Sequence, residues 1–210
     1  MPSIKKYKNL IKLVPVYKQS TRIRREVWAR FSYSDKERIE NRIFGDKAEV
    51  EISREDLIKE NDPAKKIVMT LMWGYPTGGR GSNIENILKQ LDNLSKLLSG
   101  VNKKNLKKEE SNILIKKFQG IPGLGISTWS KLLYFFMVQI ESMKCQIYDL
   151  KIVESLNKKQ FSELGAQIWR QDVDHYYQYV ELVNNLAKCM CVCPEQVELF
   201  LFYFNHSYKF

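Results

Sequence analysis

Apolar and polar positions along this chain of 210 residues recur mostly at steps of three and four, the period of an amphipathic helix. The clearest run starts at Asn83. Ile84, Ile87, Leu88, Leu91, Leu94, Leu97 and Leu98 share one face, and Gly100 ends the helix. Thr128 to Gln139 (TWSKLLYFFMVQ) is apolar on nearly every side and predicts a buried core helix. Residues 149–158 and 172–190 predict two more. A last helix opens near Pro194 with Glu195 and Glu198 and ends in the aromatic run LFLFYF. Upstream, a basic arm precedes a helix through Arg24–Phe31. Ser53, followed by Glu55 and Asp56, reads as a serine cap with acids in the first turn. Asp62-Pro63 reads as a cap followed by proline at the first helical position. The run IVMTLMWGY stops at Pro76-Thr77-Gly78-Gly79-Arg80-Gly81, a loop. Ser111 is placed as the cap of the helix that carries ILIKKF. There is almost no period-two alternation, no hairpin turn signal and no internal repeat, so the fold class is all-α.

The length suits one compact domain, or two small lobes sharing a cleft. With 44% hydrophobic and 12% aromatic residues the chain can bury a core. No apolar run approaches the roughly 20 residues that span a bilayer. The start, MPSIKKYKNL, lacks a long apolar stretch and is not read as a signal peptide. A cytoplasmic protein without membrane contact is expected. The net charge of +10, from 34 Lys+Arg against 24 Asp+Glu, is compatible with a polyanionic partner. Residues 1–30 and 100–120 are basic, and 35–62 is mixed. Charge alone leaves nucleic acid and a merely soluble basic surface both open. The four cysteines are Cys145, Cys189, Cys191 and Cys193. The CMCVC spacing differs from zinc pairs, and His175 and His206 are the only histidines, so buried or half-buried reduced thiols are expected and no metal.

Gln119 to Lys131 (QGIPGLGISTWSK) carries the sharpest chemistry. Gly123 and Gly125 flank Leu124 between two helical runs. The glycines permit a tight turn and let a phosphate approach the backbone, while Leu124 tucks between the helices. The next helix offers unpaired N–H groups to an anion. Ser127 and Thr128 add hydroxyls, and Lys131 lies one turn on. This is a helix-hairpin-helix that holds a nucleic-acid backbone without reading sequence. Without the pattern around the glycines, an ordinary helix–helix turn would serve as well.

IPGLGISTWSKLLYFF followed by YDLKIVESL resembles the helix-hairpin-helix, Gly/Pro-rich, Asp-containing superfamily of base-excision DNA glycosylases. The resemblance implies a two-lobed helical fold with a cleft, a hairpin on the DNA backbone, and an aspartate opening the next helix. Here that residue is Asp149, with Lys151, Ile152 and Val153 behind it. The connection QIESMKCQIY is a few residues longer than the family pattern. MWGYPTGGRGSNIENIL (72–88), the block 119–156 and the end 176–202 are most similar to bacterial 8-oxoguanine-glycosylase-like proteins of antiphage defence loci. That group includes an enzyme that removes glucosylated hydroxymethylcytosine from phage DNA, and accessory proteins of cyclic-nucleotide-based defence.

The resemblance implies roles. Asp149 would stabilise oxocarbenium-like charge at C1′ and orient or deprotonate a water. Its plainer role, a helix cap, is compatible with this. Bifunctional members carry an attacking lysine at the position that Ser127 fills here, and Lys131, a turn later, is expected to point elsewhere. A monofunctional enzyme follows. The cysteines do not fit the family's iron–sulfur spacing, so no cofactor is expected. Gly123, Leu124, Gly125, Ser127, Thr128, Lys131 and Lys151 are the expected backbone-binding residues. Trp73, Tyr75 and Arg80 are the first candidates for the pocket or wedge that a flipped base needs, against a core role for Trp73. Trp169 and His175 are secondary candidates. Lys103, Lys104, Lys107 and Lys108 either line the DNA path or form a solvated connector. The division expected is 1–100 with the Gly-rich loop, 101–165 with hairpin and Asp149, and 166–210 with the closing helices. The partner is double-stranded DNA with modified bases, bound by a monomer. A non-catalytic DNA-binding accessory module and an 8-oxoguanine repair enzyme are the alternatives. RNA binding gains no support beyond charge.

Overall fold

A computed structural model describes the backbone of residues 1–207 and the side chains of 1–204. The fold is mainly α. Among the described residues it has twelve α-helices and two small sheets. The first half holds α1 (Lys8–Lys12), β1 (Ser20–Arg24), α2 (Arg25–Ala29), α3 (Lys36–Phe44), β2 (Glu49–Ser53), α4 (Arg54–Lys59), α5 (Pro63–Gly74), α6 (Asn83–Leu88) and α7 (Leu91–Val101). The second half holds β3 (Asn105–Leu106), α8 (Lys108–Gln119), α9 (Ile126–Phe135), β4 (Gln139–Ile140), β5 (Met143–Lys144), α10 (Leu150–Asn157), α11 (Val173–Met190) and α12 (Pro194–Ser207). Short 3-10 turns at Ile4–Tyr7, Val16–Lys18 and Ser162–Leu164 complete it.

Local chemistry fixes several boundaries. Ser53 Oγ accepts from the Asp56 amide at 3.1 Å, and the Asp56 carboxylate accepts from the Ser53 amide at 2.9 Å. This reciprocal box starts α4. Asp62 accepts from the Lys65 amide at 3.1 Å ahead of Pro63 and starts α5. Each such cap contributes about 1 kcal/mol. α5 and α9 form the centre. α9 is buried on all sides from Thr128 to Phe136, and α5 packs against both α7 and α9. The final helix α12 covers α10, α11 and α1. There Tyr7 meets Phe161, Phe200 and Phe204 edge-on or tilted at 5.5–5.8 Å.

One buried polar contact ties the two halves. Arg54, at the start of α4, makes a bidentate pair with Glu198 on α12 at 2.8 and 3.2 Å, both side chains about 1% exposed. Its Nε donates to Gln19 at 2.5 Å, and its guanidinium lies over the rings of Tyr134 and Trp73.

Four expectations need correction. β1 and β2 form an antiparallel ribbon, and β3–β4–β5 a small sheet. Their alternation runs over too few residues to stand out: only Ile23 and Ile52 of the ribbon are buried. The extra length before Asp149 is the β4–β5 hairpin. Ser111 is not a cap, because α8 starts three residues earlier at Lys108, and Ser111 Oγ donates back to the Lys108 carbonyl at 2.8 Å. The run from Asn83 is two helices with a break at Lys89–Gln90, and α7 continues through Gly100 to Val101. Of the cysteines only Cys145 is buried; Cys189, Cys191 and Cys193 are exposed. Met190 and Val197 take the inward positions there, which leaves the thiols outward. The side chain of His206 lies outside the described residues.

Candidate active site

The glycine pattern folds as a hairpin between α8 and α9. Gly123 sits at φ +84°, where an L side chain is strained. The Gly125 amide donates to the Gly123 carbonyl at 3.0 Å, and the Gly125 carbonyl accepts from Thr128 and Trp129 at 2.9 and 3.0 Å. Leu124 is 3% exposed and anchors the turn in the core. Among the described residues, the amides of Ile126 and Ser127 form no backbone hydrogen bond. Two donors and the positive end of α9 are thus presented to an anion.

The hairpin does not stand alone. A Cβ on Gly123 would fall 2.7 Å from Asn83 Cα and 2.8 Å from its carbonyl oxygen. The Gly-rich segment 76–83 and the hairpin therefore touch, backbone to backbone. Two cavities meet at this contact, sharing Asn83, Gly123 and Gln171 as walls. One, about 630 Å³, runs along the hairpin to Asp172. The other, about 570 Å³, is lined by Tyr75, Pro76, Thr77, Arg80 and Thr128. Gly78, at φ +83°, lies directly on Arg30, the residue that caps the end of α2 and supports the loop from below.

Asp149 caps α10, accepting from the Ile152 amide at 3.1 Å with one oxygen. Its other oxygen lies 3.7 Å from Lys131 Nζ. The expectation that Lys131 points elsewhere therefore does not hold. Helical side chains tilt toward the N-terminus, so Lys131 reaches back one turn. Its ammonium donates to the Ser127 carbonyl at 2.9 Å and to Ser127 Oγ at 3.0 Å. Gly74 makes room for it: a Cβ there would be 3.2 Å from Lys131 Cδ. Tyr75 covers the ammonium, ring centroid 5.9 Å away, and its hydroxyl pairs with Thr128 Oγ1 at 2.6 Å. The wall of the 570 Å³ cavity is thus the roof of the Lys131–Asp149 pair. Behind them, burial pushes the Glu198 carboxyl up, the Asp149 charge adds to this, and Arg54 and Lys131 oppose it.

The remaining sequence candidates separate. Lys131 is buried, so it faces Asp149 rather than the hairpin surface. Lys151 is exposed, its ammonium over the Phe202 ring at 5.0 Å. Arg80 is exposed beside the cavity and forms no ion pair among the described residues. Trp73 does not line either cavity; it is 8% exposed and packs edge-on against Phe135 at 5.4 Å. Trp169 is buried, with His175 at 6.1 Å, and His175 is held by Asp172 at 2.8 Å. Lys103, Lys104 and Lys107 lie at the far end of α8, a helix length of about 17 Å from the hairpin. Asn83 and Gln171 were not singled out by the sequence, since a polar residue at a helix start or in a loop carries no periodic signal. The spacing of Ser127 and Lys131, four apart on one helix face, is the signal that could have found the lysine.

A mainly helical chain with a glycine hairpin that presents two unpaired amides, followed by an aspartate that opens the next helix, has the makings of a helix-hairpin-helix DNA glycosylase. The family model described as "Putative 8-oxoguanine DNA glycosylase OGG-like protein" matches residues 14–202, and the chain belongs to that family. No curated protein and no solved structure matches the chain. The family supports a DNA substrate and a glycosylase-like function. No described helix is long and apolar enough to cross a membrane.

Proposed function

We propose that this protein excises a modified base from double-stranded DNA to leave an abasic site, with glucosylated hydroxymethylcytosine of phage DNA as the substrate and antiphage defence as the role. The observation that carries the chemistry is Asp149, fixed as a helix cap 3.7 Å from Lys131 and next to the hairpin. The hairpin amides and Ser127 grip a phosphate, with Lys151 available on the neighbouring helix. The base swings into the cavity bounded by Tyr75 and Arg80, in the cleft between two lobes. As the N-glycosidic bond lengthens, positive charge grows on the sugar and the Asp149 carboxylate stabilises it. A water on the same carboxylate completes the hydrolysis. Ser127 carries no amine to attack C1′, which supports a monofunctional enzyme; it is proposed to work as a monomer and without a cofactor.

One observation favours a second reading. The Lys131 amine, although a turn displaced, reaches the carboxylate, and an amine there could form a Schiff base at C1′ and cut the strand. Duplexes carrying glucosylated hydroxymethylcytosine, other modified cytosines or 8-oxoguanine separate the readings. Hydrolysis gives strand breaks only after alkali, no borohydride-trapped adduct, and a loss of at least 100-fold in Asp149→Asn. The amine route gives breaks without alkali and an adduct that disappears in Lys131→Gln. If every duplex stays intact, or Asp149→Asn cuts as well as wild type, the enzymatic reading fails. Protection of cells that survives Asp149→Ala then points to the accessory DNA-binding module.

A further inference from the structure

A separate cavity lies at the opposite end of α9 from the hairpin. It measures about 260 Å³, and Tyr17, Ile58, Lys103, Met137, Lys144 and Glu195 are among its walls. The proposed excision chemistry uses none of them. Two of these residues sit where their backbone is strained. Met137 (φ +52°) is the first residue beyond the C-cap of α9, and the Val138 amide reaches back to the Leu133 carbonyl at 3.0 Å. Lys103 (φ +57°) follows the end of α7 in the same way. Glycine is the strain-free residue at such helix-ending positions. Here both positions keep a long side chain, and both side chains line this one cavity. Strained residues held in place gather at ligand clamps.

The wall chemistry narrows the occupant. Tyr17, Ile58, Met137, Val138 and the Tyr134 ring are flat or apolar surfaces, with Tyr17 about half exposed at the rim. Lys144 Nζ pairs with Glu195 Oε1 at 3.2 Å, which leaves Lys103 without an ion-pair partner among the described residues. Buried Lys66 lies close enough for its charge and that of Lys103 to oppose each other. Lys66 has Glu60 to offset its charge, so in the wall itself the two ammonium groups of Lys103 and Lys144 face the single carboxylate of Glu195. A cavity slightly below the usual range of roughly 300–1,000 Å³ suits a ligand of one or two rings.

We propose that this cavity binds a small anion with a flat apolar body. The anionic group meets Lys103 and Lys144, and the rings stack between Tyr17 and Met137. The site is independent of the excision chemistry.

Calorimetric titration of the full chain with naphthalene-1-sulfonate tests it, with sulfate and uncharged 1-naphthol as controls. The expected result is one site per chain for the sulfonate, with either control at least tenfold weaker. Met137→Gly relieves the backbone and removes the wall, so it should melt no lower than wild type while binding the sulfonate at least tenfold more weakly. Lys103→Glu should weaken binding similarly, and Arg80→Ala should not. The proposal is overturned if wild type takes up no sulfonate, if Met137→Gly binds as well as wild type, or if duplex DNA or Arg80→Ala displaces the ligand. The last result would place the ligand in the DNA cleft.

Discussion

Replacing Gly123 with alanine tests whether the hairpin and the Gly-rich loop act as one surface. The alanine must hold φ +84°, which costs about 1–2 kcal/mol for an L residue. Its Cβ would also sit 2.7 Å from Asn83 Cα and 2.8 Å from the Asn83 carbonyl. Neither is the loose end of a side chain, so the loop or the hairpin must move, and overpacking of this kind costs about 1–3 kcal/mol. A total of about 2–5 kcal/mol corresponds to a fall in Tm of roughly 4–20 °C for a chain of this size. Gly125→Ala is the control: nothing lies within 4 Å of its Cβ and its φ is −74°. It should change stability by no more than about 0.5 kcal/mol. Thermal melts and fluorescence anisotropy on a labelled duplex give both readouts. Gly123→Ala should melt lower and bind DNA at least tenfold more weakly than Gly125→Ala. Equal melts and equal binding would refute the contact and the idea that the two cavities share a wall.

Arg54→Met leaves Glu198 buried without its partner and should cost about 3–5 kcal/mol in urea unfolding; pairing it with Glu198→Leu should recover most of that loss. Burial works against the Asp62 charge, but hydrogen bonds from Arg38 and the Lys65 amide hold its carboxyl below the usual range. Its contribution is therefore complete above the unfolded value of about 3.9 and is lost as pH falls through the lower folded value. Asp62→Asn should flatten the acid side of the stability–pH curve and leave its neutral shape unchanged. Thiol titration at pH 8 should label Cys189, Cys191 and Cys193 in the native protein but Cys145 only on unfolding, because burial pushes the Cys145 thiol up to about 12; four fast thiols would contradict the fold around β5.

The helices were readable where one physical signal dominated. Ser53, Asp62 and Asp149 cap in the structure as their sequence contexts predict, and α9 is as buried as its apolar run requires. The hairpin was readable because two glycines around an apolar residue have few other uses. The ribbon β1–β2 was not, since four or five alternating residues with Arg22 and Glu49 on the outside look like a charged loop. Lys131 lies a turn beyond the position its chain spacing suggests for a catalytic amine, and its side-chain direction, which the spacing does not carry, brings it back to Asp149. Trp73 comes just before Gly74 and Tyr75, and the turn of about 100° per helical residue sends its side chain into the core while those two residues line the cavity.

The Arg54–Glu198 pair joins residues 144 positions apart. Until α12 is made and docked, Arg54 has no anion to bury against, and the layer beneath Trp73 and Tyr134 carries an unmatched cation. The N-terminal portion therefore has a built-in reason to stay open during synthesis. A chain stopped before Glu198 would contain the hairpin, Lys131 and Asp149 yet lack the carboxylate that pairs with Arg54. On the proposed function, excision of a base before α12 has docked is thereby disfavoured by the order in which the pair can form.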